Sequence, residues 1–163
     1  MNKRVEPGPG EESVWDYPRP PRIEPVEKRV LVMFNDHCLA DSTSALRVLE
    51  TASPPTIYIP RAEIDTDCLK PAVGRTYCEW KGFASYLHAV VEDRTVRKAA
   101  WFYPDPKAAF HRLRDHISFY AGRVDACYIG DELVAPQGGR YYGGWVTKNI
   151  VGPYKGEPGS EGW

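Results

Sequence analysis

Thr-Tyr-Cys-Glu-Trp-Lys-Gly at residues 76–82, followed by Phe-Ala-Ser-Tyr-Leu-His-Ala-Val-Val at residues 83–91, is the stretch that decides the fold. Aromatic and β-branched residues favour extended structure in both halves, and the Lys81-Gly82 pair separates them. We therefore predict two strands that are broken at this pair. Both faces of the second strand carry apolar residues, so we expect both faces to be covered.

Other short apolar runs predict further strands on either side of this stretch. They are separated by glycine, proline, asparagine and aspartate, the residues that favour turns. The run at 56–60 is bounded by prolines, which places it near a sheet edge, and residues 61–74 are predicted to form a loop. The expected class is mainly β (α+β), with about seven short strands. The remaining predicted strands lie at 29–34, 98–103, 124–129 and 133–135.

Two segments predict helices. A short helix near 43–50 is favoured by capping residues at 41–43 and by a proline pair that follows it. One packed helix is predicted at 106–117, because Asp105-Pro106 resembles an N-cap followed by proline at the first helical position. Its apolar residues recur at helical spacing, at Phe110, Leu113 and Ile117.

The 163 residues fit one domain with two flanking segments. Residues 1–23 are rich in proline, and the aromatic residues among them predict a strap that lies on the domain; the alternative is a mobile arm. Residues 24–136 form the predicted domain. Residues 137–163 combine glycine and proline with tyrosines and tryptophans, which predicts an irregular arm packed on the domain rather than a loose tail.

The net charge and the spacing of the cysteines argue against two classes of function, nucleic-acid binding and metal binding. A net charge of −1 gives no electrostatic basis for binding nucleic acid. The four cysteines form no Cys-x-x-Cys pair and no His-x-x-x-His pair exists, so we expect neither a metal nor another cofactor. No apolar stretch is long enough to span a membrane. We expect a cytoplasmic protein with reduced thiols, and the sequence leaves a homodimer open.

Several of these segments resemble a bacterial family known as domain of unknown function 427, which also carries a nucleotidyltransferase-like label. The resemblance covers about residues 24–163 and implies a compact fold similar to the β-tent group. It implies no activity. The residues that carry it are Ala40-Asp41-Ser42, Tyr58-Ile59-Pro60, residues 76–82 with Ala84 and Tyr86, residues 100–106, Ile117-Ser118-Phe119-Tyr120, and Tyr-Gly-Gly-Trp-Val-Thr at 142–147.

A cluster of aromatic residues around one lysine is the main candidate site. We expect Trp80, Trp101 and Tyr103, with Tyr86, to form an aromatic wall on which a flat ligand stacks, while Lys81 meets an anionic group. The alternative is that these rings simply fill the core. The leading hypothesis is thus a domain that binds a small molecule, with an anionic or nucleotide-like ligand.

Two other functions stay open. Lys81 could favour the thiolate of Cys78 and so make it a catalytic nucleophile in a group-transfer enzyme. The alternative is that Cys78 is a buried, unreactive cysteine that packs in the core as a small apolar residue. For nucleotidyl transfer, Asp65-Thr66-Asp67 offers paired carboxylates but lacks a preceding Gly-Ser turn, so a solvated loop is favoured. The third hypothesis is a protein-interaction adaptor that uses the aromatic arm around Tyr142, Trp145 and Trp163.

Overall fold

The computed structural model describes residues 3–138, 142–160 and 163, and these residues form a mainly β structure whose sheets are antiparallel except for the parallel pair of β1 and β15. The predicted class is confirmed. Tyr141, one of the aromatic residues of the predicted arm, lies outside the described residues. The strands are β1 Glu12–Ser13, β2 Arg22–Pro25, β3 Val30–Phe34, β4 His37–Ser42, β5 Leu46–Leu49, β6 Thr56–Pro60, β7 Leu69–Cys78, β8 Gly82–Val91, β9 Arg94–Phe102, β10 His116–Phe119, β11 Ala126–Ile129, β12 Glu132–Leu133, β13 Ala135–Pro136, β14 Trp145–Val146 and β15 Ile150–Val151.

Two larger sheets enclose the main core. Seven strands pair in the order β2-β5-β6-β10-β9-β8-β7, and four pair in the order β12-β11-β3-β4. Val32 and Leu39 come from the smaller sheet and meet Ile59, Ile117 and Phe119 from the larger one. All five side chains are almost completely buried, and this burial of apolar surface is the main force that holds the sheets together.

The helix predicted near 43–50 is wrong, because this segment contains strand β5. It pairs on one side with β2 and on the other with β6. Leu46, Val48 and Leu49 are buried by these neighbours. A short apolar run fits a helical period and a strand about equally well, and here the sheet partners decided the outcome.

The packed helix predicted at 106–117 is also wrong. The described helices are all of the 3₁₀ type, and the one in this region, Ala108–Leu113, is kinked at Phe110. Phe110 and Leu113 are buried as predicted, but their spacing of three also suits a 3₁₀ helix, which has three residues per turn. Ile117 belongs to strand β10 instead. The other 3₁₀ helices are Val14–Asp16, Arg61–Glu63 and Thr66–Cys68.

Strand β6 was expected at a sheet edge and lies inside the seven-stranded sheet, between β5 and β10. Its proline, Pro60, is the last residue of the strand, where a missing N–H disrupts the ladder least. The edge strands of this sheet are β2 and β7, and β7 begins inside the segment predicted as a loop. Pro71 lies in β7 next to a register shift, a position that edge strands tolerate.

Both terminal segments contact the sheets. Val14 and Tyr17 are buried in a small cluster with Leu49 and Ile150. Trp145 is buried in the main core, and its indole Nε1 donates to the carbonyl of Phe119 at 2.9 Å. No helix in the described part of the chain is long and apolar enough to cross a membrane.

Arg47 on β5 holds the N-terminal segment by its charge. Its guanidinium donates to Glu12 Oε1 at 2.6 Å and to Glu12 Oε2 at 3.1 Å, and it also contacts Glu24. Tyr17 donates its hydroxyl to Glu12 Oε1 at 2.7 Å. The hydrogen bonds from Arg47 lower the pKa of Glu12; burial opposes them and Tyr17 adds to them.

Acid sensitivity tests this cluster. Because the pKa of Glu12 is lower in the folded state, its carboxylate stabilises the fold above its ordinary pKa of 4.5, and this contribution disappears as the pH falls through the folded value. Glu12→Gln should therefore flatten the fall in the free energy of unfolding below pH ~5, measured by urea denaturation at several pH values. Glu6→Gln, at an exposed position, is the matched control. An acid profile of Glu12→Gln that overlays that of the wild type would contradict this role.

Candidate functional site

An open cleft of about 240 Å³ lies on the seven-stranded sheet, next to the turn between β7 and β8. It brings together strands β5, β6, β8 and β9 with the segment that follows β13. Glu50 and Gln137 lie among its lining residues, and Lys81 is its one described lysine. Six aromatic side chains of the described chain line it: Tyr58, Tyr86, Trp101, Tyr103, Tyr120 and Tyr142.

The turn that carries Lys81 is fixed by the segment that follows β9. Cys78 pairs with Gly82 across the hairpin, and Gly82 has a φ of +104°, which favours glycine. The backbone N–H of Lys107 donates to the carbonyl of Lys81 at 3.0 Å, and Lys107 Nζ donates to the carbonyl of Glu79 at 2.7 Å. These bonds hold the backbone of the turn, and the side chain of Lys81 lines the cleft.

Lys81 is a buried cation without a carboxylate partner. The residue is 8% exposed, and its Nζ donates to Cys78 Sγ at 3.7 Å and lies 5.7 Å from the ring centroid of Tyr103. Within the described residues, no carboxylate lies within 4.0 Å of Nζ. Burial alone would lower the pKa of Lys81, but Tyr58, Cys78 and Glu50 outweigh it, so its pKa is raised. The side chain is therefore an ammonium at neutral pH.

The aromatic wall is a connected set of rings. Trp101 Nε1 donates to the hydroxyl of Tyr58 at 3.1 Å, and the two rings meet edge to face with centroids 6.1 Å apart. Tyr120 lies on the other side of Trp101, at 4.5 Å between centroids. Burial raises the pKa of Tyr103, and it raises the pKa of Tyr120 to about 12. These two phenols therefore stay protonated and can act as hydrogen-bond donors at neutral pH.

The C-terminal segment closes one side of the cleft. The amide of Gln137 donates to the carbonyl of Lys155 at 2.7 Å, and its oxygen accepts the N–H of Gly144 at 3.0 Å. These bonds place Gly143 directly against the indole of Trp101. A side chain at 143 would overlap that ring, so the close approach requires glycine.

The family described as domain of unknown function DUF427, with the short name NTP_transf_9, matches residues 22–130. The chain belongs to the DUF427 family. This confirms the family resemblance, and the description assigns no activity. A comparison with curated proteins finds no match. The matched range contains Lys81, Tyr86, Trp101 and Tyr103, whereas the segment around Gly143 lies beyond it.

Four of the six site residues predicted for this DUF427 protein line the cleft: Lys81, Tyr86, Trp101 and Tyr103. Trp80 and Cys78 do not. Both are half-buried and pack against the apolar cluster beneath the cleft, and Cys78 reaches the site only through its contact with Lys81. Trp101 is only 7% exposed, yet it also borders the cleft.

Sequence reasoning missed several residues that complete the site. The sequence analysis places Tyr58 in a predicted strand and Tyr120 beyond the helix predicted at 106–117, and it gives neither residue a role in a cleft. Glu50 and Gln137 lie far from residues 76–103 in sequence, and no local pattern connects them. The glycine pair 143–144 between aromatic residues was the available signal, since glycine beside large rings permits close approach.

Replacement of Gly143 tests how the arm seats on Trp101. We expect Gly143→Ala to lower the free energy of unfolding by about 1–3 kcal/mol, because the added methyl group overpacks the indole. Urea denaturation and near-ultraviolet circular dichroism of the tryptophans measure this. Gly8→Ala is the matched control, since its methyl group would meet only the flexible side chain of Glu11. Equal stability of Gly143→Ala and Gly8→Ala would contradict the contact.

Proposed function

We propose that this DUF427 protein binds a small molecule that carries an anionic group and a flat ring in the aromatic cleft. The observation that carries the proposal is the burial of Lys81 without a carboxylate partner within 4.0 Å in the described chain. Removing an ammonium from water is unfavourable unless charges or hydrogen bonds replace the lost hydration. A thiol at 3.7 Å replaces little of it.

An acidic ligand would supply what the ammonium lacks. A carboxylate or phosphate beside Nζ would form a charge-assisted hydrogen bond in a site of low dielectric, where such bonds are strong. The rings of Tyr86 and Trp101 offer apolar surface for the rest of the molecule. A volume near 240 Å³ lies below the range of pockets for drug-sized ligands and suits a molecule of roughly one ring.

Substitution of Lys81 separates binding from packing. In the ligand-free protein, Lys81→Met should leave the free energy of unfolding unchanged or raise it by up to about 2 kcal/mol, because an apolar side chain replaces an unpaired buried charge. Lys70→Met, at an exposed position, should stay within about 0.5 kcal/mol of the wild type. Urea denaturation measures both. A loss of more than about 2 kcal/mol in Lys81→Met would show that Lys81 serves the fold instead.

The same variant tests ligand binding. We expect a panel of small aromatic carboxylates and phosphates, scored by thermal shift and by NMR titration, to contain compounds that bind the wild type and bind Lys81→Met at least tenfold more weakly. Lys70→Met is the control, because Lys70 is exposed and does not line the cleft. The proposal fails if every acid binds the wild type and Lys81→Met equally, or if no acid binds the wild type at millimolar concentration.

A second candidate is group transfer through Cys78, favoured by the 3.7 Å contact between Lys81 Nζ and Cys78 Sγ. Cysteine is a nucleophile in covalent group-transfer catalysis, and here the Lys81 ammonium lies beside the sulfur. Nucleotidyl transfer itself has less support, since it uses paired carboxylates around a metal and Glu50 is the one carboxylate among the described cleft residues. Asp65 pairs with His37 instead.

Thiol labelling tests this second candidate. Iodoacetamide at neutral pH, followed by mass spectrometry, should alkylate Cys78 at least tenfold faster than Cys38, and Lys81→Met should remove the difference. Cys38 is a suitable reference because it is exposed while burial and Asp41 raise its pKa. Alkylation of Cys78 at or below the rate of Cys38 would remove the cysteine enzyme from consideration.

The adaptor hypothesis draws less support from the arm. Trp145 is buried in the core, and Trp163 packs edge to face on Trp15 at 5.1 Å between centroids. Tyr142 is 43% exposed, but it also lines the cleft. The described aromatic residues of the arm thus have partners or a place within this fold.

A further inference from the structure

Three side chains of metal-binding type meet at one end of the four-stranded sheet, apart from the aromatic cleft. His37 is the first residue of β4, Asp65 precedes the 3₁₀ helix Thr66–Cys68, and Cys68 ends that helix. His37 Nε2 lies 2.7 Å from Asp65 Oδ2, and Cys68 Sγ lies 3.5 Å from the same oxygen. All three ligand atoms lie within 4.8 Å of one another, and all three residues are half-buried.

The backbone holds these residues in place by several independent contacts. Asn35 and Asp36 both have positive φ, 50° and 59°, as a tight hairpin turn requires, and they set the position of His37. The N–H of Asp65 donates to the carbonyl of Leu39 at 2.8 Å, and Ala40 forms a bridge with Ile64. The loop is therefore attached to β4 along its length, which is the kind of rigid support that a binding site needs.

We propose that His37, Asp65 and Cys68 bind a divalent metal ion of the zinc type, with one coordination position left for water or an external ligand. Imidazole, carboxylate and thiolate are all zinc ligands, at about 2.0–2.3 Å from the metal. Tetrahedral geometry at these bond lengths separates neighbouring ligand atoms by roughly 3.3–3.6 Å. The observed separations differ from this range by about an ångström or less for the two measured pairs, which side-chain rotation can supply.

The thiol makes this cluster more than an ion pair. His37 and Asp65 alone would explain their own contact, but Cys68 directs its Sγ at the same carboxylate oxygen from one helical turn away. Asp65 and Cys68 have the i, i+3 spacing that is common among paired zinc ligands. The charged groups that act on the thiol are Asp65 and Asp67, which are anionic, and Lys70, which is cationic. The carboxylates outnumber the ammonium, and this charge balance favours a cation.

Cobalt(II) is the probe, because it substitutes for zinc and its absorption spectrum depends on its coordination geometry. Full-length, untagged protein, freed of metal by chelation and kept reduced, is titrated with Co²⁺ and followed by absorption spectroscopy. We expect one equivalent to give the visible bands of a tetrahedral site and a near-ultraviolet thiolate-to-cobalt band, and Zn²⁺ to remove both. Metal should also raise the melting temperature.

Single substitutions test which side chains bind the metal ion. Cys68→Ser should abolish the thiolate band, and His37→Gln should weaken Co²⁺ binding at least tenfold. Cys38→Ser is the matched control, since Cys38 is adjacent to His37 but bonds the carbonyl of Ala40 and should leave the spectrum unchanged. The metal-free melting temperature of each variant checks that it is folded. The absence of a thiolate band in the folded wild type, or its persistence in Cys68→Ser, overturns the proposal.

Discussion

The ammonium of Lys81 lies inside an aromatic cluster, and the arrangement of the whole site depends on how this charge is kept there. The hairpin turn is held from outside by Lys107, whose backbone and side chain both bond to it. With its backbone fixed, the side chain of Lys81 extends toward Cys78 and Tyr103. The fixed turn thus keeps the ammonium in a buried position that is unfavourable for an unpaired charge.

The C-terminal segment turns this exposed face of the sheet into a cleft. Trp101 already has a hydrogen-bond partner in Tyr58 and a tilted ring neighbour in Tyr120, and these two contacts orient its indole. Gln137 and the glycine pair then bring the backbone of the arm against the indole. The arm lies outside the range that defines the DUF427 family, so the family match covers the floor of the cleft and leaves out this wall.

The sequence allowed the strand content and part of the site to be predicted, and the failures have physical causes. Residues 83–91 are predicted as a strand from their β-branched and aromatic residues, and they lie within β8. Leu46 to Leu49 was mistaken for a helix because its pairing with β2 and β6 is a property of the whole sheet. Lys81 was found because it adjoins aromatic residues in sequence. Trp80 and Trp101 could not be told apart, since which indole borders the cleft depends on packing.

The two candidate sites lie at different places in the fold: the cleft adjoins the hairpin of β7 and β8, and the His37 cluster lies between β4 and the segment that precedes β7. Lys81 belongs to the hairpin of the seven-stranded sheet, whereas His37 lies on β4 of the four-stranded sheet. No described side chain belongs to both, because the residues that line the cleft do not include His37, Asp65 or Cys68. The cysteines follow the same division: Cys78 contacts a cation, and Cys68 contacts an anion. The two cysteines therefore differ in their electrostatic surroundings although they belong to one fold.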